Sequence, residues 1–390
     1  HVRVCGYSAS SARPEVGMTL HEAVALALFG ATRRRLLGAI VRTWLARPIP
    51  DVDDLPPRGP DESLVAWACR CDALLDPDAE AADLAVRAER TLADARRRGQ
   101  AAIGLGDPDY PPPLAEIPDP PPVLWLRGAA EMLRWPRMVA LVGARAATPG
   151  GLVLASHLAA GLAEAGIVVV SGLARGIDSA AHRAALDRGG ASIGVLGSSL
   201  DRLYPAEHRD LAEALAGQGA VVSEHVPGTP PLPFHFPLRN RIISGLSCAV
   251  VVVEASEKSG SLITAMAAAE QGREVMAVPG PVGPGRHRGG HALLRDGATL
   301  VEGPEDVLAA LGWLPEEVRQ RRRPAGLEPT VARELGLDPS VNDFSADEVA
   351  VTTGWAMARV NARLATLEIE GRVQRIGGGR FMGSRTRVLT

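Results

Sequence analysis

The chain has 390 residues, 46 % of them apolar and 22 % charged, which is more than one compact core usually holds and is the balance of a globular protein. Its net charge of −3 excludes a nucleic-acid binder that works through bulk positive charge, so any polyanion contact must be a local patch. The four cysteines, Cys5, Cys69, Cys71 and Cys248, are too few for a disulfide scaffold and lack zinc spacing, and no apolar run reaches bilayer length. The expected setting is therefore cytoplasmic, with reduced and unligated thiols, no metal, no cofactor and no membrane contact.

Residues 1–17 read as an extension with no fold role, since Met18-Thr-Leu-His-Glu-Ala resembles a natural start. They lack the basic flank, apolar stretch and small-residue cleavage site of a secretory signal. Residues 18–100 predict a small helical domain, of SAM-like or helix-hairpin-helix-like kind. Leu20, Ala23, Val24, Ala27 and Leu28 recur at helical spacing, and Leu36, Leu37, Ile40, Val41 and Trp44 do so again. A Pro/Asp/Gly-rich break over Pro48–Asp61 precedes another helix near Ala79–Arg98. The proline-rich segment Pro108–Pro122 predicts an ordered connector, because proline suits neither a regular helix nor a central strand.

Residues 123–312 alternate strands with helices, within a domain read as residues 104–313. The strand candidates are Met138–Val142, Ile167–Ser171, Ser192–Leu196, Ala220–Ser223, Ala249–Glu254 and Glu274–Val278. Most are continuous Val- and Ile-rich runs, as strands covered on both faces should be. Helical stretches such as Leu152–Ala165 and Ser179–Asp187 lie between them. The fold class is thus α/β, a Rossmann-like doubly wound and mostly parallel sheet. Residues 314–326 read as a linker carrying the basic run Arg319–Arg323. Residues 327–383 read as a winged helix: a helix near Pro329–Leu335, a second opened by the capping box Ser345-Ala-Asp-Glu348, a third marked by Val360, Leu364 and Leu367, then a hairpin over Arg372–Met382. Residues 384–390 form a tail.

Ligands of open α/β sheets bind beyond the carboxyl ends of the strands, so the residues just after each strand carry the chemistry. Gly143-Ala-Arg145-Ala-Ala-Thr-Pro-Gly150-Gly151 follows the first strand. It is not the dinucleotide fingerprint, yet Gly143 permits close backbone approach, the next helix start offers N–H groups, and Arg145 is placed to grip an anion. Ser171-Gly172-Leu-Ala-Arg175-Gly176-Ile-Asp178 follows the second, with Asp178 expected to cap the helix that carries His182. Ser171, Asp178 and His182 name a Ser/His/Asp set, but one helical turn already explains the Asp178–His182 proximity. Ser223 to Ser247 after the fourth strand reads as a long loop stiffened by prolines. Phe234, His235 and Phe236 are candidate stacking groups, and Arg239, Asn240 and Arg241 candidate phosphate ligands; aromatics among basic groups are what single-stranded nucleic acid needs. Ser259-Gly260-Ser261 after the fifth strand opens a helix with hydroxyls and free amides, without Walker A spacing. Lys258 is the single lysine, so the basic side chains are otherwise arginines, which favours bidentate phosphate contacts.

Taken in order, Val142-Gly-Ala-Arg145, Ser171-Gly-Leu-Ala-Arg-Gly-Ile-Asp178-Ser-Ala-Ala-His182, Val195-Leu-Gly197, Tyr204-Pro205, Phe236-Pro-Leu-Arg-Asn-Arg-Ile-Ile-Ser-Gly-Leu-Ser247, Ser259-Gly-Ser-Leu-Ile-Thr-Ala265 and Val278-Pro-Gly280 resemble the DNA-processing protein A (DprA/Smf) family. The likeness runs from about Gly104 to Trp313, with weaker motifs in the flanking regions. It implies a non-enzymatic, cytoplasmic protein of natural transformation that binds incoming single-stranded DNA, shields it, helps load the recombinase RecA, and forms a homodimer through the Rossmann-like domain. By motif it assigns DNA contact to Arg145, Phe236, Arg239, Asn240 and the Gly172 turn, with Ser259, Gly260 and Ser261 lining the same pocket; Gly143, Arg175 and Arg241 complete the candidate set. Two departures stand out. Pro233 occupies the place of a lysine common in the family, and Ala144 replaces the serine of the usual Val-Gly-Ser-Arg element.

Two other classes compete. A phosphoribohydrolase of the lysine-decarboxylase-like group has a related sheet, but its Pro-Gly-Gly-x-Gly-Thr-x-x-Glu motif is missing here. A duplex-DNA regulator acting through the winged helix would need a basic recognition helix, and Arg359 and Arg363 are balanced by Glu368 and Glu370.

Overall fold

The structure, a computed structural model, describes residues 18–31, 33–45, 55–59, 62–72, 75–283, 285–314, 327–341, 343–375 and 379–383. The expected extension, Cys5, the basic run Arg319–Arg323 and the tail lie outside the described residues. The chain divides into two compact units between Gly312 and Trp313.

In the first unit, helices α1 (Leu20–Gly30), α2 (Arg34–Trp44), α3 (Leu64–Arg70) and α4 (Pro77–Arg97) come first. Thr19 starts α1 with a capping box, its hydroxyl accepting from the Glu22 amide at 3.2 Å. Trp67 on α3 is fully buried, and its Nε1 donates to the Pro56 carbonyl at 2.7 Å. These helices are not walled off from the sheet. Their apolar faces and the sheet's own residues form one continuous core cluster.

The sheet has nine strands: β1 (Ala101–Gly104), β2 (Val123–Gly128), β3 (Met138–Val142), β4 (Val168–Ser171), β5 (Ser192–Val195), β6 (Ala220–Ser223), β7 (Ala249–Val252), β8 (Glu274–Ala277) and β9 (Thr299–Leu300). Their order is β1-β2-β6-β5-β4-β3-β7-β8-β9. From β6 to β9 every pairing is parallel; β2 pairs antiparallel with both β6 and β1. Strands β3, β4 and β7 are buried at every residue, as their unbroken Val-rich runs require. The chain winds from β3 toward β6, then returns to β7 on the other side of β3. That reversal creates a topological switch point between β3 and β7.

Helix α5 (Pro112–Ala115) is one turn inside the proline-rich connector, where Tyr110 donates its hydroxyl to the Pro121 carbonyl at 2.7 Å. Helices α6 (Pro149–Glu164), α7 (Ile177–Asp187), α8 (Arg209–Gln218), α9 (His235–Leu246), α10 (Ser261–Glu270), α11 (Arg288–Arg295) and α12 (Pro304–Ala310) follow along the chain. Two expectations are corrected. The segment read as a long loop up to Ser247 is helical from His235, because Pro237 sits in the first turn, where no helical N–H is lost. Asp178 does not cap α7: Gly176 holds that position, and the Asp178 carboxylate instead accepts from the loop amides of Gly172 and Ala174 at 3.1 and 3.4 Å.

In the second unit, α13 (Pro329–Glu334), β10 (Asp343–Ser345), α14 (Ala346–Thr353), α15 (Met357–Ile369), β11 (Val373–Arg375) and β12 (Arg380–Gly383) form a winged helix. Its own core includes Val331, Phe344, Val360, Leu364 and Phe381. The capping box at Ser345 forms as read, with the Glu348 amide donating to the Ser345 hydroxyl at 3.1 Å. Strand β10 joins the hairpin as a third strand.

One ionic cluster ties the helices to the sheet. Arg241 on α9 meets Glu224 at 2.8 Å and Asp119 at 3.1 Å, and Arg34 on α2 reaches the same two carboxylates at 3.3 and 3.2 Å. Burial alone would push the Glu224 carboxyl up, but Arg241 and Arg34 outweigh it and hold it at about 2, below its ordinary 4.5. A carboxyl lowered in the fold adds stability that is complete above the unfolded value and is lost as pH falls toward the folded one. The stability advantage of the wild type over Glu224→Gln, read by urea unfolding, should therefore be constant above about pH 5 and narrow steadily below it. An advantage that does not change with pH would contradict the ionic role.

Candidate nucleic-acid interface

A cleft of about 580 Å³ opens at the switch point. One wall is the turn after β3, with Gly143 and Arg145. The opposite wall is the turn after β7, with Glu254, Ser259, Gly260 and Ser261. Helix α9 closes the side with Phe236, Arg239 and Asn240. Eight of the eleven candidate residues thus line one cleft: Gly143, Arg145, Phe236, Arg239, Asn240, Ser259, Gly260 and Ser261. Gly172, Arg175 and Arg241 stand outside it.

Arg145 is exposed and has no carboxylate within ion-pair distance among the described residues. Its guanidinium lies 5.3 Å from the centre of the Phe236 ring, a cation–π contact that orients the charge without neutralising it. Tyr204 meets the same ring edge-on at 5.5 Å. Arg145 therefore keeps its capacity for a bidentate anion contact.

Arg239 plays a different part. It is 4 % exposed, and its Nη1 donates to the carbonyls of Gly172, at 2.7 Å, and Val195. Its Nε donates to Asn240 Oδ1 at 3.3 Å, and Asn240 Nδ2 donates to the Gly260 carbonyl at 3.1 Å. Burial pulls the guanidinium down to about 10, against the attraction of Asp178, and Arg145 adds to the fall. It is still charged at neutral pH. Burial likewise raises Asp178, opposed by Arg239. Gly172 is required here, because a Cβ on it would lie 2.6 Å from the Arg239 guanidinium nitrogens. Gly176, at φ +77°, is required too: a Cβ would lie 2.3 Å from the Ala144 carbonyl.

At the start of α10 the Ser259 and Ser261 hydroxyls are 2.8 Å apart, and an added side chain at Gly260 would point into open space. This corner can accept an anion on hydroxyls and backbone N–H groups. The start of α6, expected to do the same, is already capped. Glu254 accepts from the Thr148 amide and hydroxyl at 3.0 and 2.7 Å, and the Gly151 amide donates to the Thr148 hydroxyl at 3.0 Å.

The remaining candidates have other duties. Arg241 is a structural cation, spent on Glu224 and Asp119. Arg175 is exposed and donates to Glu207. His235 is buried against His225, their rings 4.0 Å apart, while Phe234 stays 59 % exposed. The named Ser/His/Asp set forms no relay: Ser171 donates to the Leu141 carbonyl at 2.6 Å, and His182 Nδ1 pairs with Ser192 at 2.8 Å. Sequence reasoning missed Arg286 as a lining residue. It follows β8, donates to the Ala146 carbonyl at 2.9 Å and sits 3.9 Å from Glu254. The same rule about carboxyl ends of strands, applied past β7, would have found it. The wall thus carries Arg145, Arg239 and Arg286 against Asp178 and Glu254.

Comparison with known proteins assigns a family. The family model for DNA recombination-mediator protein A matches residues 101–312. The chain belongs to that family. The DprA winged helix domain model matches residues 315–379. Protein Smf of Escherichia coli is 41 % identical over 277 residues, covering 69 % of this chain and 74 % of its own. DNA processing protein DprA of Streptococcus pneumoniae is 47 % identical over 208 residues, 53 % of this chain and 73 % of its own. Its X-ray structure superposes with a TM-score of 0.62 at 34 % identity, over 75 % of this chain and 98 % of that one. A structure of DNA processing protein A from Helicobacter pylori, described for its single-stranded DNA binding mode, superposes with a TM-score of 0.50 at 29 % identity, over 54 % of this chain and 95 % of that one.

The division of labour between the two arginines is testable by stability alone. Arg239→Ala leaves two buried carbonyls and Asp178 without their cation and should cost on the order of 3 kcal/mol in urea unfolding. Arg145→Ala removes an exposed, unpaired side chain and should change stability by less than about 0.5 kcal/mol. Equal small losses in both would contradict the assignment.

Proposed function

We propose that this protein binds single-stranded DNA in the β3/β7 cleft and acts by holding the strand rather than by a catalytic step. In this reading Arg145 grips a phosphate, Phe236 stacks on a base, and Asn240, Ser259, Gly260 and Ser261 line the backbone path beside Gly143. Arg239 and Gly172 position the walls rather than touch the strand. The observation that carries the proposal is the unpaired Arg145 guanidinium set over the partly exposed Phe236 ring at the mouth of a glycine- and serine-walled cleft. A charge beside an aromatic face is the sequence-tolerant arrangement that single strands use. The single-stranded DNA binding mode described for the Helicobacter pylori relative supports the same reading.

The family resemblance extends the proposal to biology: shielding of incoming single strands in natural transformation, help in loading RecA, a homodimer through the sheet domain, and a cytoplasmic setting. Among the described residues no helix is long and apolar enough to cross a membrane. The second unit fits a protein-contact role better than duplex binding. On its third helix and wing, Arg363 pairs with Glu334, Arg375 with Glu368 and Arg380 with Asp343, while Arg359 lies over Trp355 at 4.3 Å. Phosphate contacts would first have to break those pairs.

Arg145→Ala should weaken single-strand binding by about 1–3 kcal/mol, the scale of a lost charge-assisted contact. Phe236→Ala should cost a similar amount, about 1–3 kcal/mol, the scale of one lost stack. Fluorescence anisotropy with labelled oligo-dT reads both. Unchanged affinity in the two variants would sink the cleft assignment.

A further inference from the structure

We propose that the strand path continues out of the cleft past Arg145, and that a second subsite over helices α6 and α7 holds a further phosphodiester of the same single strand on Arg183. The inference rests on the single-strand reading of the cleft and extends it to Arg183, which lies just outside the family motifs.

Arg145 borders three depressions, not one. Besides the main cleft, it edges a hollow of about 360 Å³ lined by Tyr204, Pro231, Pro233, Phe236 and Pro237. On its other side lies a hollow of about 600 Å³ bordered by Leu152, Ser156, Ser179, Arg183 and Asp187. The two side hollows differ in chemistry. The first offers rings and proline faces, which suit bases. The second offers a guanidinium and two hydroxyls among small alanines, which suits a phosphate and the backbone around it. A single strand is continuous, so one that leaves the main cleft past Arg145 can run on into the hollow that bears Arg183.

Among the described residues Arg183 is the unpaired arginine of α7. Arg175, just before the helix, is paired with Glu207, and Arg188, at its end, with Glu164. Arg183 is exposed and has no ion pair among the described residues. Asp187, one turn further on, borders the same hollow and makes no ion pair with Arg183. The hydroxyl of Ser179 donates to the Gly176 carbonyl at 3.1 Å, which fixes its oxygen and leaves its lone pairs to accept. Asp187 repels a phosphate at the far rim, so the path should end there.

The test is an anisotropy titration of the full chain with two oligo-dT probes, about six and about fifteen nucleotides long, within the range of single-strand site sizes. Arg183→Ala should bind the short probe like the wild type and the long probe about 5- to 20-fold more weakly. Losing one phosphate contact should also flatten the long probe's salt slope by about 0.7, which a merely structural change would not do. Asp187→Asn should tighten the long probe several-fold and leave the short one alone. Arg145→Ala should weaken both. If Arg183→Ala keeps the wild-type affinity and slope for the long probe, or weakens both probes equally, the separate subsite is overturned while the cleft stands. If the wild type binds neither probe, the single-strand reading itself has failed, and the subsite with it.

Discussion

The site depends on one buried guanidinium. Arg239 donates to the carbonyl that ends β5 and to the one just after β4, and so pins the two turns beyond those strands. A charge so far from water is costly unless it is fully hydrogen-bonded. Here two carbonyls, Asn240 and the attraction of Asp178 offset that cost, and Asp178 in turn gathers the amides of Gly172 and Ala174. With those turns fixed, the turns after β3 and β7 stand apart as the two walls of the cleft. The interaction also explains why Gly172 has no side chain: its Cβ would occupy the place of the guanidinium.

The same economy separates structural from available charge. Arg241, Arg34, Glu224 and Asp119 neutralise one another and lock the helical region onto the sheet. Glu254 is spent on capping α6. Among the described residues Arg145 and Arg183 are left exposed and without an ion pair on neighbouring surfaces. A protein of net charge −3 can meet a polyanion this way, by leaving a few cations unpaired in chosen hollows rather than by being basic throughout.

Much of this was legible in the sequence, for physical reasons. Strands β3 to β7 announce themselves because a strand covered on both faces is apolar along most of its length, and β8 does so by its Val-Met-Ala run after the exposed Glu274. Strands β1, β2 and β9 do not. Strand β2 begins one residue after the last of three consecutive prolines and pairs antiparallel, outside the strand–helix alternation, and β9 has only two residues. The serine and glycine turns were legible because sheet topology places ligands at strand ends. The roles of Arg239 and Arg241 were not. Once His235–Leu246 is a helix, residues two apart point about 200° from each other, so these arginines cannot share a face. One turns to the strand ends and the other to the Glu224 cluster, and the prolines before them hid the helix that separates them. The three-stranded wing escaped for a simpler reason: β10 is three residues long and merges into the cap of the following helix.

The most direct test of the central claim is a competition titration on the wild-type chain. Labelled oligo-dT would be displaced in turn by unlabelled oligo-dT, by a matched duplex and by a mononucleotide, each at two salt concentrations. A cleft that threads a single strand predicts displacement by the oligonucleotide at far lower concentration than by the duplex or the mononucleotide, with a moderate salt slope set by few phosphate contacts. A duplex that competes as well as the single strand would move DNA contact away from the cleft. A mononucleotide that competes as well would make the cleft a small-ligand pocket.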